Sequence, residues 1–194
     1  QTQVGNLSTS QLQALATADL QALLTSQITA LKTNQVANLT TDQAKALTTA
    51  QAATLSSKQA AALTTDQVAA LSANSVKAIN LTAFGALSSA QITALTTAQV
   101  EQITTAQLTS MKSGQMAGLT SSQIDAFTTT QVAALGSAQA AGLTTAQIVG
   151  LATADLTALS TAAVSGLGTA AINALTTDQI GALGTQQIAA IKNH

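Results

Sequence analysis

Residues 63–71 read LTTDQVAAL, and the Leu that closes the stretch opens a near-copy of it. Stepping by eight from Leu7 meets Leu15, Leu23, Leu31, Leu39, Leu47, Leu55, Leu63, Leu71 and Ile79, and the series continues through Met111 and Phe127 to Ile191. All 24 anchors are large and apolar, and no insertion or deletion disturbs the phase. A fixed period sustained over a whole chain marks a repeat architecture, in which small units bury their apolar faces only by stacking on neighbours.

With the anchor labelled a, the octad runs a to h. Position f is Val, Ile, Leu, Met or Phe in 20 of 24 cases and Ala at residues 44, 52, 60 and 140. Position c is Ser or Thr in 21 of 24, e is Gln in 18 of 24, and h is mostly Ala or Gly. Every Lys, Asp and Glu falls at b, d, e or g. This partition gives the octad an inside (a, f and h) and an outside (b, d and g).

Strand structure does not accommodate the pattern. Side chains on one face of a strand share parity, and a and f are five apart. A helix does accommodate it, because f and the next a are three apart and lie on one helical face. A single long helix fails, since eight residues do not close on whole turns of 3.6 and the apolar stripe would drift. Hydroxyl residues also recur every octad, and Ser and Thr favour helix N-caps over helix interiors. Each octad therefore reads as its own short helix. The cap is expected at c, because b tolerates Ala16, Leu24, Lys32 and Gly136; a cap at b, with Gln three residues later as in a capping box, is the other reading.

Helices this short are marginal alone and must stack. The equivalence of the octads predicts an all-α solenoid of very short helices, one per repeat, wound as a polygonal coil with a and f along its axis. Residues 1–194 form one such array. Four helices per turn are preferred, on the ground that a triangle of helices about 10 Å across leaves little room for Leu; three remain possible. A monomeric rod is expected.

The composition excludes several function classes. Only 7% of residues are charged, against roughly 25% in ordinary domains. The net charge is −1, and the six Lys are scattered singly, so no basic stripe addresses nucleic acid or anionic lipid. There is no Cys, hence no disulfide and no thiolate metal site. No apolar run approaches the length that spans a bilayer as a helix. The chain opens on Gln1 and reads as a segment of a longer array.

No catalytic, cofactor-binding or metal-binding residues are expected. Asp42, Asp66 and Asp178 fall at d, near a helix start, where a carboxylate favours the helix dipole. The single His194 cannot make a metal site. Phe84, Met111, Met116 and Phe127 occupy a or f and belong to the core. The Gln at e form a capping or inter-coil hydrogen-bond ladder. Asn6, Asn38 and Asn80 open glycosylation-type triplets, with the first two at the inward h position.

The octad LTTAQV at 95–100 and its near-copy LTTAQI at 143–148 resemble the repeat regions of very large bacterial surface or secreted proteins of adhesin type. The resemblance implies an extracellular, non-enzymatic role. The expected function is a structural spacer or stalk segment whose partners are neighbouring repeats or domains of its own chain. The alternative is a binding module using the side of the solenoid, for adhesion or, through Ser/Thr arrays, for ice.

Overall fold

The computed structural model describes residues 3–191. Within them lie a 3₁₀ turn, Val4–Asn6, and 23 α-helices of four to seven residues, one per octad. No strand occurs among the described residues. The helices group into two compact units, Gln1–Ile103 and Thr104–His194.

Each corner between helices is built from two extended residues, a and b. Leu63 (φ −59°, ψ 139°) and Thr64 (φ −74°, ψ 163°) represent the set, close to polyproline II geometry. Among the described residues none has positive φ and no peptide bond is cis. The chain thus turns its corners without glycine turns. A hydroxyl or Gln at the right spacing is enough.

Within each unit, helices pack on the helix three further along the chain. In the first unit, helix Thr41–Ala46 lies between Thr17–Ala22 and Thr65–Ala70; in the second, Thr153–Ala158 lies between Thr129–Ala134 and Thr177–Ala182. One turn of the coil is therefore three octads, 24 residues, and the preference for four is overturned. The physical reason is that helix diameter is the wrong measure of the space available. The helices run along the sides of the triangle, so only the a and f side chains have to fit on its axis. Those side chains fit closely: Leu95, Val100, Leu108 and Leu135 are at most 4% exposed.

The helix cap is also displaced from the expected position. The cap is b: Thr64, Thr96 and Thr144 each accept from the amide of the Gln three residues on, and c is the first helical residue. The tolerance of b for Leu24, Lys32 and Gly136 has a simple cause. The Gln side chain reaches back to the b amide whatever side chain b carries, as in Leu24 N–H to Gln27 Oε1 at 2.8 Å and Lys32 N–H to Gln35 Oε1 at 2.7 Å. Where the hydroxyl is missing, the Gln amide turns to the b carbonyl instead, at 2.9 Å for Gln27 and 3.0 Å for Gln35.

A third correction concerns the inside of the octad. Position h is mostly half-buried, and Asn6 and Asn38 there are exposed. The third buried position is e: Gln35, Gln43, Gln51, Gln59, Gln67, Gln91 and Gln99 in the first unit are 1–3% exposed. At two h positions the helix end sits over position c of the turn below: a Cβ at Gly142 would come within 2.6 Å of the Ser113 Cα, and one at Gly166 within 2.5 Å of the Ser137 Cα, so these glycines set backbone on backbone.

Candidate functional site

The feature that recurs most regularly is the Gln at e, and Gln99 shows its construction. Thr96 ends the corner and Thr97 begins the helix, which places Gln99 at the third helical residue. Thr96 Oγ1 accepts from the Gln99 amide at 3.2 Å, and Gln99 Oε1 accepts from the Thr96 amide at 2.7 Å. This is a complete capping box, satisfying two amide donors that the first helical turn otherwise leaves unpaired. The Gln99 Nε2 group then donates to Val68 O at 2.9 Å and Leu71 O at 2.6 Å, in the turn below. Val68 lies in the last turn of helix Thr65–Ala70 and Leu71 is the anchor after it, so both carbonyls belong to a helix end.

One neutral side chain therefore caps the start of its own helix and the end of an earlier one. Its two donors and its acceptor are all used, which permits burial without a desolvation debt. The same arrangement recurs in the second unit: Gln147 accepts from Thr144 N–H at 2.6 Å and donates to Met116 O at 3.0 Å and Leu119 O at 2.6 Å. Among the described residues no buried side-chain nitrogen or oxygen lacks a partner. The sequence reading offered capping and inter-coil bonding as alternatives. The carboxamide does both.

Where Gln is absent, other residues take over part of its task. Ser75 Oγ donates to Leu47 O at 2.9 Å. Asn80, at b, caps its helix by accepting from Ala83 N–H at 3.0 Å and donates to Ala53 O at 3.0 Å and Leu55 O at 2.8 Å. Ser160, also at b, caps through Ala163 N–H at 3.0 Å and donates to Leu135 O at 3.0 Å. The anchor carbonyl of the turn below is the common target in all three.

Asp155 also stands at e, where a carboxylate has no donor to offer. Burial, and secondarily the Asp125 carboxylate, push its carboxyl above the usual carboxylate range. Its helix has Ala152 at the cap position and no side-chain cap.

The remaining acids do not converge. Asp42, Asp66 and Asp178 lie in the first turns of their helices, exposed, as the dipole argument expects. No group of three or more His, Cys, Asp or Glu occurs among the described residues. His194 lies outside the described residues. Phe84, Met111, Met116 and Phe127 are all buried. No helix is long and apolar enough to cross a membrane among the described residues.

Two open, polar grooves lie on the sides of the units. Thr17, Gln21, Asp42 and Lys45 line one in the first unit, and Thr157, Ser160, Thr185 and Gln186 line part of one in the second. The outer faces carry rows of hydroxyls: Thr105, Thr129, Thr153 and Thr177, one turn apart at position c, are all exposed.

No curated protein matches the chain. The sequence profile of the ALTTAQ repeat matches residues 12–49, 100–137, 121–153, 148–185 and 165–192, which together cover well over half of the chain. The profile's own name spells the corner and the capping box described above, from h through the anchor and hydroxyl pair to the Gln at e. The chain belongs to the ALTTAQ repeat family.

Proposed function

We propose that this chain is a non-enzymatic spacer, a stalk segment of a large extracellular protein of adhesin type, with neighbouring repeats or domains of its own chain as its partners. The observation that carries this reading is the closure of the polar bonding upon itself. A Gln such as Gln99 or Gln147 is consumed in capping two helices of its own array, so the most regular polar feature keeps little to offer a substrate. The octads keep one phase throughout and many repeat one bonding scheme, which suits a protein whose useful property is length.

The test is a series of deletions in the parent protein, each removing one 24-residue turn. Distance between the flanking domains should fall by about 8–10 Å per turn, the spacing of packed helices, wherever the deletion is made. A single indispensable turn among otherwise neutral deletions would overturn the spacer in favour of a binding module. That second reading draws on the exposed row of Thr105, Thr129, Thr153 and Thr177, a regular hydroxyl array suited to adhesion or to ice. Replacing these four by Lys would abolish binding on that reading and leave reach unchanged on the first.

A further inference from the structure

The Gln ladder is interrupted for one whole turn of the second unit. In the turn 151–174, position e is Asp155, then Ala163, then Ala171. Among the described residues, Ser160 Oγ to Leu135 O is the one side-chain hydrogen bond that joins this turn to the turn 127–150 beneath it. The contrast with an ordinary turn is large. Gln43, Gln51 and Gln59, in the turn 39–62, each donate to at least two carbonyls of the turn below. The caps thin out at the same place: Ala152 and Gly168 give their helices no side-chain cap.

The three sides of this interface are not equal. Helix Thr161–Gly166 carries Ala163 in place of the long Gln and ends in Gly166, whose missing Cβ would overlap the backbone of Ser137 below. That side is backbone against backbone, and Ser160 adds its bond there. The other two sides, under helices Thr153–Ala158 and Thr169–Ala174, keep their apolar residues but have no ladder bond. We infer that the interface between turns 127–150 and 151–174 is a preformed seam, hinged along helix Thr161–Gly166 on helix Ser137–Ala140 and opening at the other two sides.

Asp155 makes the seam responsive to acid. Gln at the neighbouring e positions points its Nε2 at the f and a carbonyls 31 and 28 residues earlier, as Gln147 does to Met116 and Leu119. The counterparts for Asp155 are Ile124 and Phe127, at a helix end where partial negative charge gathers. A carboxylate there is repelled; a protonated carboxyl can donate. The titratable groups on the surrounding elements are Asp125, in helix Ser121–Asp125, and Asp178, in helix Thr177–Ala182; helices Thr129–Ala134, Thr145–Gly150 and Thr161–Gly166 carry none. Both neighbours are acidic, so no cation compensates the charge. Acid closes the seam.

Hydrogen–deuterium exchange on the full chain tests this. Peptides from 151–191 should lose protection as one block, at least tenfold faster than peptides from 127–150. Ala152→Thr with Asp155→Gln and Ala171→Gln rebuilds the ladder and should slow that block at least tenfold. Lowering the pH from 7 to 5, after correction for intrinsic exchange, should slow the block in the native chain but not in Asp155→Asn. Equal rates on the two sides of the seam, or a rebuilt chain that exchanges like the parent, would overturn the inference. Should the rebuilt chain fail to fold, Gln43→Asp with Gln51→Ala and Gln59→Ala copies the seam into the turn 39–62. A new break in protection at that turn supports the inference, and its absence refutes it.

Discussion

The side-chain amide of Gln99 donates to the carbonyl of Leu71, 28 residues earlier, at 2.6 Å, while its oxygen receives the amide of Thr96 at 2.7 Å. That single contact joins a helix start to the corner one turn below. It converts a local capping rule into a tertiary bond, and the bond recurs in both units, as at Gln43 and Gln147. The backbone amides of corner residues Leu63 and Leu71 bond only three or four residues back, so across turns the side chain does what backbone ladders do in a sheet.

Gln99→Ala removes all of these bonds at once, leaving the Thr96 amide and the Leu71 carbonyl without these partners, while the Val68 carbonyl keeps the Leu71 amide at 3.3 Å. Each buried orphan costs on the order of 1–3 kcal/mol, so a loss of about 3 kcal/mol is expected in denaturant titrations. Gln99→Glu keeps the oxygen that accepts from Thr96 but turns a carboxylate toward Val68 O and Leu71 O. It should be destabilised at neutral pH and recover as the pH falls, which a melt at each pH would reveal.

The two hydroxyls of each octad should differ in worth. Thr96→Ala deletes the cap and should cost about 1 kcal/mol, moderated because Gln99 still holds the Thr96 amide position. Thr97→Ala alters an exposed first helical residue and should stay within about 0.5 kcal/mol. Equal costs for the pair would contradict the cap assignment.

Two glycines at h should respond to Ala with opposite signs. Gly166→Ala drives a methyl into the Ser137 backbone and should destabilise by about 1–3 kcal/mol. Gly150→Ala meets nothing within 4 Å and closes helix Thr145–Gly150 with a better helix former, for a gain of up to about 1 kcal/mol. Thermal melts of the two variants decide the matter.

Asp155 gives the second unit a pH dependence of definite sign. Its carboxyl is raised in the folded state, chiefly by burial and then by Asp125, so the folded chain holds the proton more tightly than the unfolded chain. The contribution of this group is greatest below its ordinary value of 3.8 and is lost as pH rises through its raised folded-state range. Asp155→Asn should flatten this slope and raise stability at neutral pH. A slope unchanged by the substitution would place its origin elsewhere.

Much of the fold was legible in the octad itself. The spacing of three between f and the next a required a helix, and the recurrence of hydroxyls every eight residues required that helix to end within each octad. Both follow from local geometry: 3.6 residues per turn and the four unpaired amides at every helix start. The core positions of Phe84, Met116 and Leu95 follow from phase alone.

Three features were decided only in three dimensions. The number of helices per turn depends on the summed rotation of two extended corner residues, such as Leu63 and Thr64, which residue types alone do not specify. The choice of b over c as cap depended on Gln reaching the b amide regardless of its side chain, so the tolerance at b misled. The burial of Gln at e, deeper than Ala at h, arises because a turn below supplies the two carbonyls that its amide needs. A polar residue reads as exposed from sequence; only the stacked turn, 24 residues away, supplies the partners that let it be buried.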